Sequence, residues 1–328
     1  MPINQVLVTG AAGFIGSHLV DRLLAAGHVV SGIDNFVRGR PANLAGARTN
    51  SRFYLFEADL AVDSKCTAAF DAARDRGGIA AVWHMAANSD IPAGVSDPGI
   101  DLRDTFMTTY HTLAAMRRLE IPRIAFASTS AIYGDNPNVL TEQTGPLFPI
   151  SNYGAMKLGC EGMISAAVES FLECAYIFRF PNVIGPRATH GIIYDLFKKL
   201  RLNSQELEVL GDGSQQKPYL HVDDLLDAML LIADRSDERI NCFNIADDDE
   251  GATVRFIAET VIRAAAPGTP IRYTGGNRGW VGDVPHFRYS TDKIRRLGWR
   301  PRLCSTEAVE AAAREIYWEM SDPVAWKS

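Results

Sequence analysis

The chain has 328 residues, 47% of them hydrophobic, and its formal net charge at pH 7 is −6. This composition predicts a folded protein with a sizeable core and argues against a nucleic-acid-binding surface, which needs a basic patch. The N-terminus lacks a charged signal segment and no apolar run reaches membrane-spanning length, so we expect a cytoplasmic protein without a membrane partner.

The cysteines are scattered and show no Cys-x-x-Cys pattern. We therefore expect reduced thiols, no disulfide and no metal site. The five positions are Cys66, Cys160, Cys174, Cys242 and Cys304.

The first elements predict a dinucleotide-binding βαβ unit. In chain order they are a strand (Gln5–Thr9), the turn Gly10-Ala-Ala-Gly13-Phe-Ile-Gly16, a helix (Ser17–Ala26) and a strand (His28–Ile33). Gly10 permits a tight turn, Gly13 lets a pyrophosphate approach the backbone, and Gly16 lets helix and strand pack closely. The alternative is a glycine-rich turn without a ligand.

An acidic residue, Asp34, follows the second strand and is itself followed by Asn35. A carboxylate at this place accepts hydrogen bonds from an adenosine ribose and repels a 2′-phosphate, which favours NAD over NADP. Arg38 and Arg40 lie nearby and weaken this preference, because arginine can accommodate the phosphate. The alternative for Asp34 is an ordinary turn carboxylate.

Strands and helices continue to alternate up to about residue 180. The predicted strands are Phe53–Glu57, Ile79–His84, Arg123–Ala127 and Ala175–Phe180, and the helices are Ala68–Arg76, Asp101–Arg118 and Ile150–Ala167. This alternation predicts an α/β fold with a doubly wound parallel sheet. Asp59-Leu60, Ala86-Ala87 and the hydroxyl cluster at 128–130 follow strand ends, where open α/β sheets bind ligands. We interpret His84 as a packed or hydrogen-bonded histidine.

A tyrosine and a lysine, Tyr153 and Lys157, stand four residues apart in the predicted Ile150–Ala167 helix, which Ser151 or Asn152 could cap. The spacing places both side chains on one face. An ammonium beside a phenol lowers the tyrosine pKa from about 10, which would make Tyr153 a general base. The alternative is an exposed helix face with no chemical role.

The remaining sequence alternates less regularly. Its predicted elements are a helix (Gly191–Leu202), a strand (Leu207–Leu210), a strand-to-helix segment (Tyr219–Ala233), a strand (Cys242–Ile245) and two helices (Val254–Ala264 and Thr306–Tyr317). We expect residues 1–180 plus about 219–246 to form an NAD-binding Rossmann domain. Residues of about 181–218 plus 247–328 would form a smaller substrate lobe.

Taken together and in order, these motifs resemble the extended short-chain dehydrogenase/reductase family over nearly the whole chain, specifically its nucleotide-sugar epimerases and dehydratases. The C-terminal half is most similar to 4-epimerase-type members. The markers are Gly10-x-x-Gly13-x-x-Gly16, Asp34-Asn35, Asp59-Leu60, His84-x-Ala86-Ala87, Ser128-Thr129-Ser130-x-x-Tyr133-Gly134, Tyr153-x-x-x-Lys157, Arg179-x-x-Asn182-x-x-Gly185-Pro186 and Tyr219-x-x-Val222-Asp223-Asp224.

The resemblance implies an NAD-dependent enzyme with Thr129, Tyr153 and Lys157 as catalytic residues. The implied cofactor-binding residues are Gly10, Gly13, Phe14, Ile15, Gly16, Asp34, Asn35, Arg38, Asp59, Leu60, Ala86, Ala87, Tyr153, Lys157 and Pro181. The implied nucleotide-sugar contacts are Asn88, Thr129, Asn182, His190, Lys217, Tyr219 and Arg278. Lys217 stands where many relatives have arginine. A homodimer is also implied, through the Asp101–Arg118 and Tyr153–Val168 helices, although their apolar faces suit a core equally well.

Two departures from the family pattern bear on the reaction. Ser130-Ala131 follows Thr129, where dehydratases have an Asp-Glu pair. Eliminating water needs an acid and a base beyond Tyr153. We therefore expect C4 epimerisation of a nucleotide-diphosphate hexose (UDP-glucose/UDP-galactose type) through a transient 4-keto sugar. Thr105 stands where relatives often have asparagine.

Other functions stay open at this point. A nucleotide-sugar 4,6-dehydratase or another NAD-dependent oxidoreductase is the enzymatic alternative. The non-enzymatic alternatives are a redox-sensing NAD(P)-binding regulator and a structural protein with a vestigial site. The hexose and the nucleotide base are equally open.

Overall fold

A seven-stranded sheet is the largest element of the computed structural model, which describes residues 4–276 and 288–321. The strands are β1 (Gln5–Thr9), β2 (Val29–Asp34), β3 (Phe53–Glu57), β4 (Ile79–His84), β5 (Arg123–Ala127), β6 (Cys174–Arg179), β7 (Asn182–Ile184), β8 (Leu207–Val209), β9 (Gln216–Lys217), β10 (Tyr219–His221), β11 (Ile240–Asn244), β12 (Ala252–Thr253) and β13 (Ile271–Tyr273). The helices are α1 (Phe14–Ala25), α2 (Asp63–Arg74), α3 (Ile91–Ser96), α4 (Pro98–Asp101), α5 (Thr108–Arg118), α6 (Asn152–Ser170), α7 (Ile192–Leu202), α8 (Val222–Arg235), α9 (Val254–Ala265), α10 (Asp292–Arg296) and α11 (Ser305–Ser321).

The large sheet has the order β11-β6-β5-β4-β1-β2-β3. The six strands from β3 to β6 pair in parallel, and the strand order reverses between β1 and β4. Such a reversal opens a crevice at the carboxyl ends of the strands. All five residues of β1 are buried, as expected for a central parallel strand covered on both faces. The predicted Rossmann-type α/β fold is confirmed.

Several element bounds differ from the predicted ones. The strands Phe53–Glu57, Ile79–His84 and Arg123–Ala127 are found as predicted. The predicted Asp101–Arg118 helix is instead composed of the end of α4, a π-helical segment (Leu102–Met107) and α5. Periodicity did not distinguish these pieces, because apolar residues continue at near-helical spacing through the π-helical turn.

The described residues divide into two compact units. The first takes those within Met1–Gly134, Leu147–Arg179 and Met229–Phe243, and the second those within Asp135–Pro146, Phe180–Ala228 and Asn244–Ser328. Residues 135–146 and 219–228 thus belong to the second unit, unlike in the division expected from the sequence.

Each unit has its own hydrophobic core. In the first unit, Phe70 of α2, Met116 of α5 and Ile164 of α6 are fully buried together with the strands they cover. In the second unit, α7, α9 and α11 pack around Leu207 and Ile257. The short pairs β7–β10, β8–β13 and β9–β12 complete the second unit.

The helices and the cysteines of the described part of the chain bear on membrane insertion and disulfide formation. None of its helices combines the length and the apolarity needed to cross a membrane. All five cysteines are free thiols, and Cys66 and Cys160 are buried.

Candidate active site

The glycine turn between β1 and α1 is closely packed. Gly10 has a φ of +66°, and a Cβ there would lie 2.9 Å from the backbone nitrogen of Ala86. A Cβ on Gly16 would lie 2.0 Å from the carbonyl oxygen of Gly10, so only glycine allows α1 to approach the turn this closely.

Gly13 precedes the first turn of α1 and makes no side-chain cap. The helix starts at Phe14 and Ile15, so its first backbone N–H groups are left to an anion such as a pyrophosphate.

Asp34 ends β2 with its carboxylate buried. Its Oδ2 accepts a hydrogen bond from Ala12 N at 2.9 Å, and its Oδ1 accepts one from Phe36 N at 2.8 Å. Burial raises the pKa of Asp34, and these backbone hydrogen bonds oppose the shift. A Cβ on Gly39 would come within 2.7 Å of Oδ1, so a side chain there would crowd the carboxylate.

The residues around Asp34 bear on cofactor choice. Arg38, which the sequence offered as a 2′-phosphate partner, forms an ion pair with Asp90 at 3.0 Å instead. The Asn35 side chain accepts from Val37 N at 3.1 Å. After β3, Asp59 accepts from Ala61 N at 3.0 Å. Leu60, the remaining residue predicted after β3, is buried.

The loop after β4 is tied to the glycine turn through a buried histidine. His84 Nδ1 lies 2.7 Å from Thr9 Oγ1, and Nε2 lies 3.1 Å from Thr109 Oγ1. Thr9 Oγ1 also accepts from Ala86 N at 3.2 Å, so this contact positions Ala86 and the adjacent Ala87. Burial lowers the pKa of His84 to about 3. The interpretation of His84 as a hydrogen-bonded histidine is confirmed.

Asn88 organises the same loop. Its backbone N donates to Thr105 Oγ1 at 3.1 Å, and its Nδ2 donates to Asp101 Oδ1 at 2.7 Å and to Asp90 O at 3.0 Å. Both amide hydrogens are used in this way, so Asn88 can meet a substrate only as an acceptor.

The three predicted catalytic residues lie together in the first unit. Ser151 caps α6, with its Oγ accepting from Gly154 N at 3.1 Å. Tyr153 is a partly buried residue, and its hydroxyl hydrogen-bonds Thr129, two residues after β5. The Lys157 ammonium is buried, donates to Ala127 O at 2.7 Å and lies 5.9 Å from the centroid of the Tyr153 ring.

The expected lowering of the Tyr153 pKa is wrong for this structure. Burial raises the pKa of Tyr153 to about 12, although the hydrogen bond from Thr129 opposes the shift. Burial also lowers the pKa of Lys157 to about 8, which leaves its charge only marginally stable above neutral pH. Desolvation of the charged form is thus the largest cause of each shift.

The predicted nucleotide-sugar residues lie mostly in the second unit. Asn182 and Tyr219 are direct partners in the parallel β7–β10 pair. Tyr219 is buried and its backbone N donates to Ser305 Oγ at 3.1 Å. Lys217 ends β9 and pairs with Ala252 of β12.

The remaining predicted site residues are Pro181, His190 and Arg278. Pro181 is buried directly before β7. His190 is partly buried, and its Nδ1 lies 3.3 Å from Thr189 Oγ1. Arg278, the expected second phosphate contact, lies outside the described residues.

Sequence reasoning overlooked two buried carboxylates near the catalytic residues. Glu161 accepts from Ser128 Oγ at 2.5 Å, and Asp101 accepts from Asn88. Glu161 stands one helical turn after Lys157, so the 153-157-161 spacing could have indicated it.

The first unit fits NAD on three observations. A turn that excludes any Cβ at residues 10 and 16 leads into uncapped N–H groups, where a pyrophosphate binds. A carboxylate at the end of β2 suits a ribose diol. Arg38 is paired with Asp90, which leaves it poorly placed to favour a 2′-phosphate.

Comparison with known proteins gives the same assignment. A profile of the NAD dependent epimerase/dehydratase family matches residues 6–246. A UDP-glucose 4-epimerase from Mycolicibacterium smegmatis is 30% identical over 311 residues, 93% of this chain and 96% of that protein.

Two solved structures share the fold at nearly full length. Thermus thermophilus UDP-glucose 4-epimerase, in complex with NAD, has a TM-score of 0.81 at 30% identity, covering 95% of this chain and 98% of its own. UDP-glucuronic acid 4-epimerase from Bacillus cereus, in complex with UDP-glucuronic acid and NAD, has a TM-score of 0.83 at 25% identity, covering 96% and 99%. These comparisons agree with the glycine turn and the acidic end of β2. The chain belongs to the NAD dependent epimerase/dehydratase family, in its nucleotide-sugar epimerase branch, and is an enzyme that uses NAD.

Proposed function

We propose that this enzyme inverts C4 of a UDP-hexose of the glucose/galactose type through a transient 4-keto sugar. The observation that carries the proposal is the Thr129–Tyr153 hydrogen bond beside the buried Lys157 ammonium. This arrangement places a proton acceptor and a hydroxyl that can orient a sugar oxygen within reach of one another.

Each of the three side chains has one task in this reaction. Tyr153 takes the proton from the sugar O4 during oxidation and returns it during reduction. Thr129 hydrogen-bonds the same oxygen and orients it. Lys157 supplies positive charge near the phenolate. Bound NAD accepts a hydride from C4 and returns it to the opposite face, so no external reductant is consumed.

The raised pKa of Tyr153 sets a condition on this mechanism. A phenol with a pKa of about 12 is a poor base at neutral pH. The positive charge of the oxidised nicotinamide, added to that of the Lys157 ammonium, is what would bring this pKa back towards the working pH. We therefore expect deprotonation of Tyr153 to depend on both.

The residues after Thr129 favour epimerisation over dehydration. Ser130 and Ala131 begin a short 3₁₀ helix, and Ala131 N donates to Thr129 Oγ1 at 3.1 Å. Neither side chain can act as the acid or base that loss of water from C5 and C6 requires. A stable 4-keto-6-deoxy product would contradict this interpretation.

The sugar and the base are proposed from the relatives. The M. smegmatis and T. thermophilus proteins are named for UDP-glucose, and both are at least as similar in sequence as the one named for UDP-glucuronic acid. We therefore place uridine and a neutral hexose first, and a uronic acid second.

The experiment is incubation with a panel of UDP-sugars, with the products identified by NMR. We expect UDP-glucose and UDP-galactose to interconvert. Tyr153→Phe should lower kcat at least about 100-fold and still bind NAD, because a positioned general base contributes about 10²–10⁴-fold. Tyr176→Phe, a partly buried phenol on β6, is the control and should keep parental activity. Near-parental turnover of Tyr153→Phe would exclude the base assignment.

We also propose a homodimer formed through the outer face of the α5 region. Leu102 and Tyr110 there are 47% and 51% exposed, a high exposure for large apolar side chains. Light scattering should report a dimer for the parent chain and a monomer for Tyr110→Arg. A monomeric parent chain would contradict the proposal.

A further inference from the structure

A buried ion pair lies next to the segment that carries Thr129. Arg179, the last residue of β6, donates from Nη2 to Glu161 Oε2 at 2.6 Å and from Nε to Glu161 Oε1 at 3.0 Å. The two side chains are only 9% and 7% exposed. Because two parallel hydrogen bonds fix both distance and angle, the pair is a rigid link between β6 and α6.

The pair holds the residues on both sides of Thr129. Ser128, directly before it, donates from Oγ to Glu161 Oε1 at 2.5 Å. Tyr133, four residues after it, accepts at its hydroxyl from Arg179 Nη1 at 3.0 Å. Ser128 and Tyr133 are 1% and 3% exposed, so water does not compete for either contact.

The helix that carries Tyr153 makes a second hydrogen bond to the same segment. Lys157 Nζ donates to Ala127 O, and Glu161, one turn further on, accepts from the next residue, Ser128. Two side chains of α6 therefore hold two consecutive residues of the strand end. These contacts join the strand end that leads to Thr129 to the helix that carries Tyr153.

We propose that the Glu161–Arg179 pair, acting through Ser128 and Tyr133, positions Thr129 against Tyr153 for proton transfer. These four are positioning residues, since none of them is the base or the hydroxyl that meets the substrate. The proposal rests on the proposed epimerase function for its kinetic consequence. A displacement of about 1 Å in a catalytic group can cost 10²-fold in rate, so such anchoring has a measurable effect.

Stability alone is a weak reason for this arrangement. A buried ion pair is often no more stabilising than apolar residues of the same volume, because desolvation offsets the attraction. Ser128 and Tyr133 can each be altered without removing either charge. Variants of these two residues therefore test positioning without the large destabilisation that is expected when one partner of a buried ion pair is deleted.

The test uses Ser128→Ala and Tyr133→Phe, each of which deletes one anchor and keeps the ion pair. Both variants should lower kcat for the UDP-sugar about 10- to 100-fold. KM should stay within about twofold, because the lost effect belongs to the transition state and not to binding. Ser31→Ala is the control, a buried serine of β2 whose Oγ accepts from Gln5 Nε2 at 3.3 Å, and should keep parental kcat.

A readout without substrate makes the outcome independent of the proposed reaction. In a threonine-methyl NMR spectrum of the NAD-loaded enzyme, with the Thr129 signal assigned from Thr129→Ser, both anchor variants should shift or broaden that signal. Ser31→Ala should leave it in place. Parental kcat together with an unmoved Thr129 signal in both anchor variants would overturn the proposal. If the Thr129 signal moves in both anchor variants while the parent enzyme turns over no nucleotide sugar, the positioning stands and the proposed function is refuted.

Discussion

Burial moves the pKa values of Tyr153 and Lys157 in opposite directions, each away from the charged form. Lys157 is 2% exposed and its pKa falls to about 8, while that of Tyr153 rises to about 12. The ammonium that the proposed reaction needs is thus close to losing its proton at mildly alkaline pH. We expect kcat to fall above about pH 8 for this reason.

The lowered pKa of Lys157 predicts a pH-dependent stability. Between about pH 8 and 10.5, the unfolded chain binds a proton that the folded chain has released, so the free energy of unfolding rises with pH. Tyr153 acts the other way between about pH 10 and 12, because its folded-state pKa is raised. Below about pH 9.5, only the Lys157 effect changes the free energy of unfolding.

Lys157→Met measures this effect. Between about pH 7 and 9.5, the unfolding free energy of the parent should increase relative to that of the variant by roughly 2 kcal/mol, at about 1.4 kcal/mol per pKa unit. Denaturant unfolding at each pH gives the difference. Lys65→Met, an exposed lysine of α2, should show no such trend. A gap for Lys157→Met that does not change with pH would contradict the lowered pKa.

The proximity of Tyr153 and Lys157 could be predicted from the sequence, but the direction of their pKa shifts could not. Spacing of four residues places Tyr153 and Lys157 on one helix face wherever the helix packs. Desolvation depends on what covers that face, here the end of β5 and the ring of Phe126, 4.6 Å from the ammonium. That cover is tertiary, so a local pattern could not give the direction of either shift.

At the scale of elements, the π-helical segment between α4 and α5 connects the β4 loop to α6, which carries Tyr153 and Lys157. Thr105 within it accepts from Asn88 N through Oγ1, and its carbonyl accepts from Thr109 Oγ1 at 2.9 Å and Cys160 Sγ at 3.8 Å. π-Helical turns often occur at functional sites because they redirect one turn of side chains. Here the redirected turn satisfies the backbone of the loop predicted to face the cofactor.

Thr105→Val tests this connection. It should lower the free energy of unfolding by about 1–3 kcal/mol, because the buried N–H of Asn88 loses its acceptor. Thr112→Val is a matched control on α5, since the Thr112 hydroxyl is buried and has no hydrogen-bond partner among the described residues. That variant should be neutral or slightly more stable. Equal destabilisation of both variants, measured by denaturant unfolding, would mean that the Asn88 contact contributes nothing specific.

Elements were predictable from the sequence where five or six consecutive residues carried a strand pattern. Strands β3, β4 and β5 were found at their predicted bounds, because β-branched and aromatic residues are concentrated in strands. The two-residue strands β9 and β12 were not foreseen, since two residues carry no periodicity. Their pairing, which places Lys217, comes only from the three-dimensional fold of the second unit.

At the scale of the whole molecule, net charge opposes the proposed substrate. The chain carries −6, and a nucleotide diphosphate sugar is an anion, so long-range electrostatics repel it. Binding then depends on local cations that act within about 8 Å at physiological salt. Among the cationic residues that the structure describes, Lys217 is the one that the family resemblance places at a phosphate. It lies two residues before the buried Tyr219.

Lys217→Ala should therefore raise KM for the UDP-sugar about tenfold or more, because losing one charge-assisted hydrogen bond costs about 1.5–3 kcal/mol. The value of kcat should change little, since the phosphate contact is the same in substrate and transition state. Lys65→Ala, on α2 of the first unit, makes the same change in net charge, from −6 to −7, and separates local contact from overall repulsion. Steady-state kinetics at two salt concentrations give both constants. If Lys65→Ala and Lys217→Ala raise KM equally, the effect belongs to net charge and Lys217 does not contact the diphosphate.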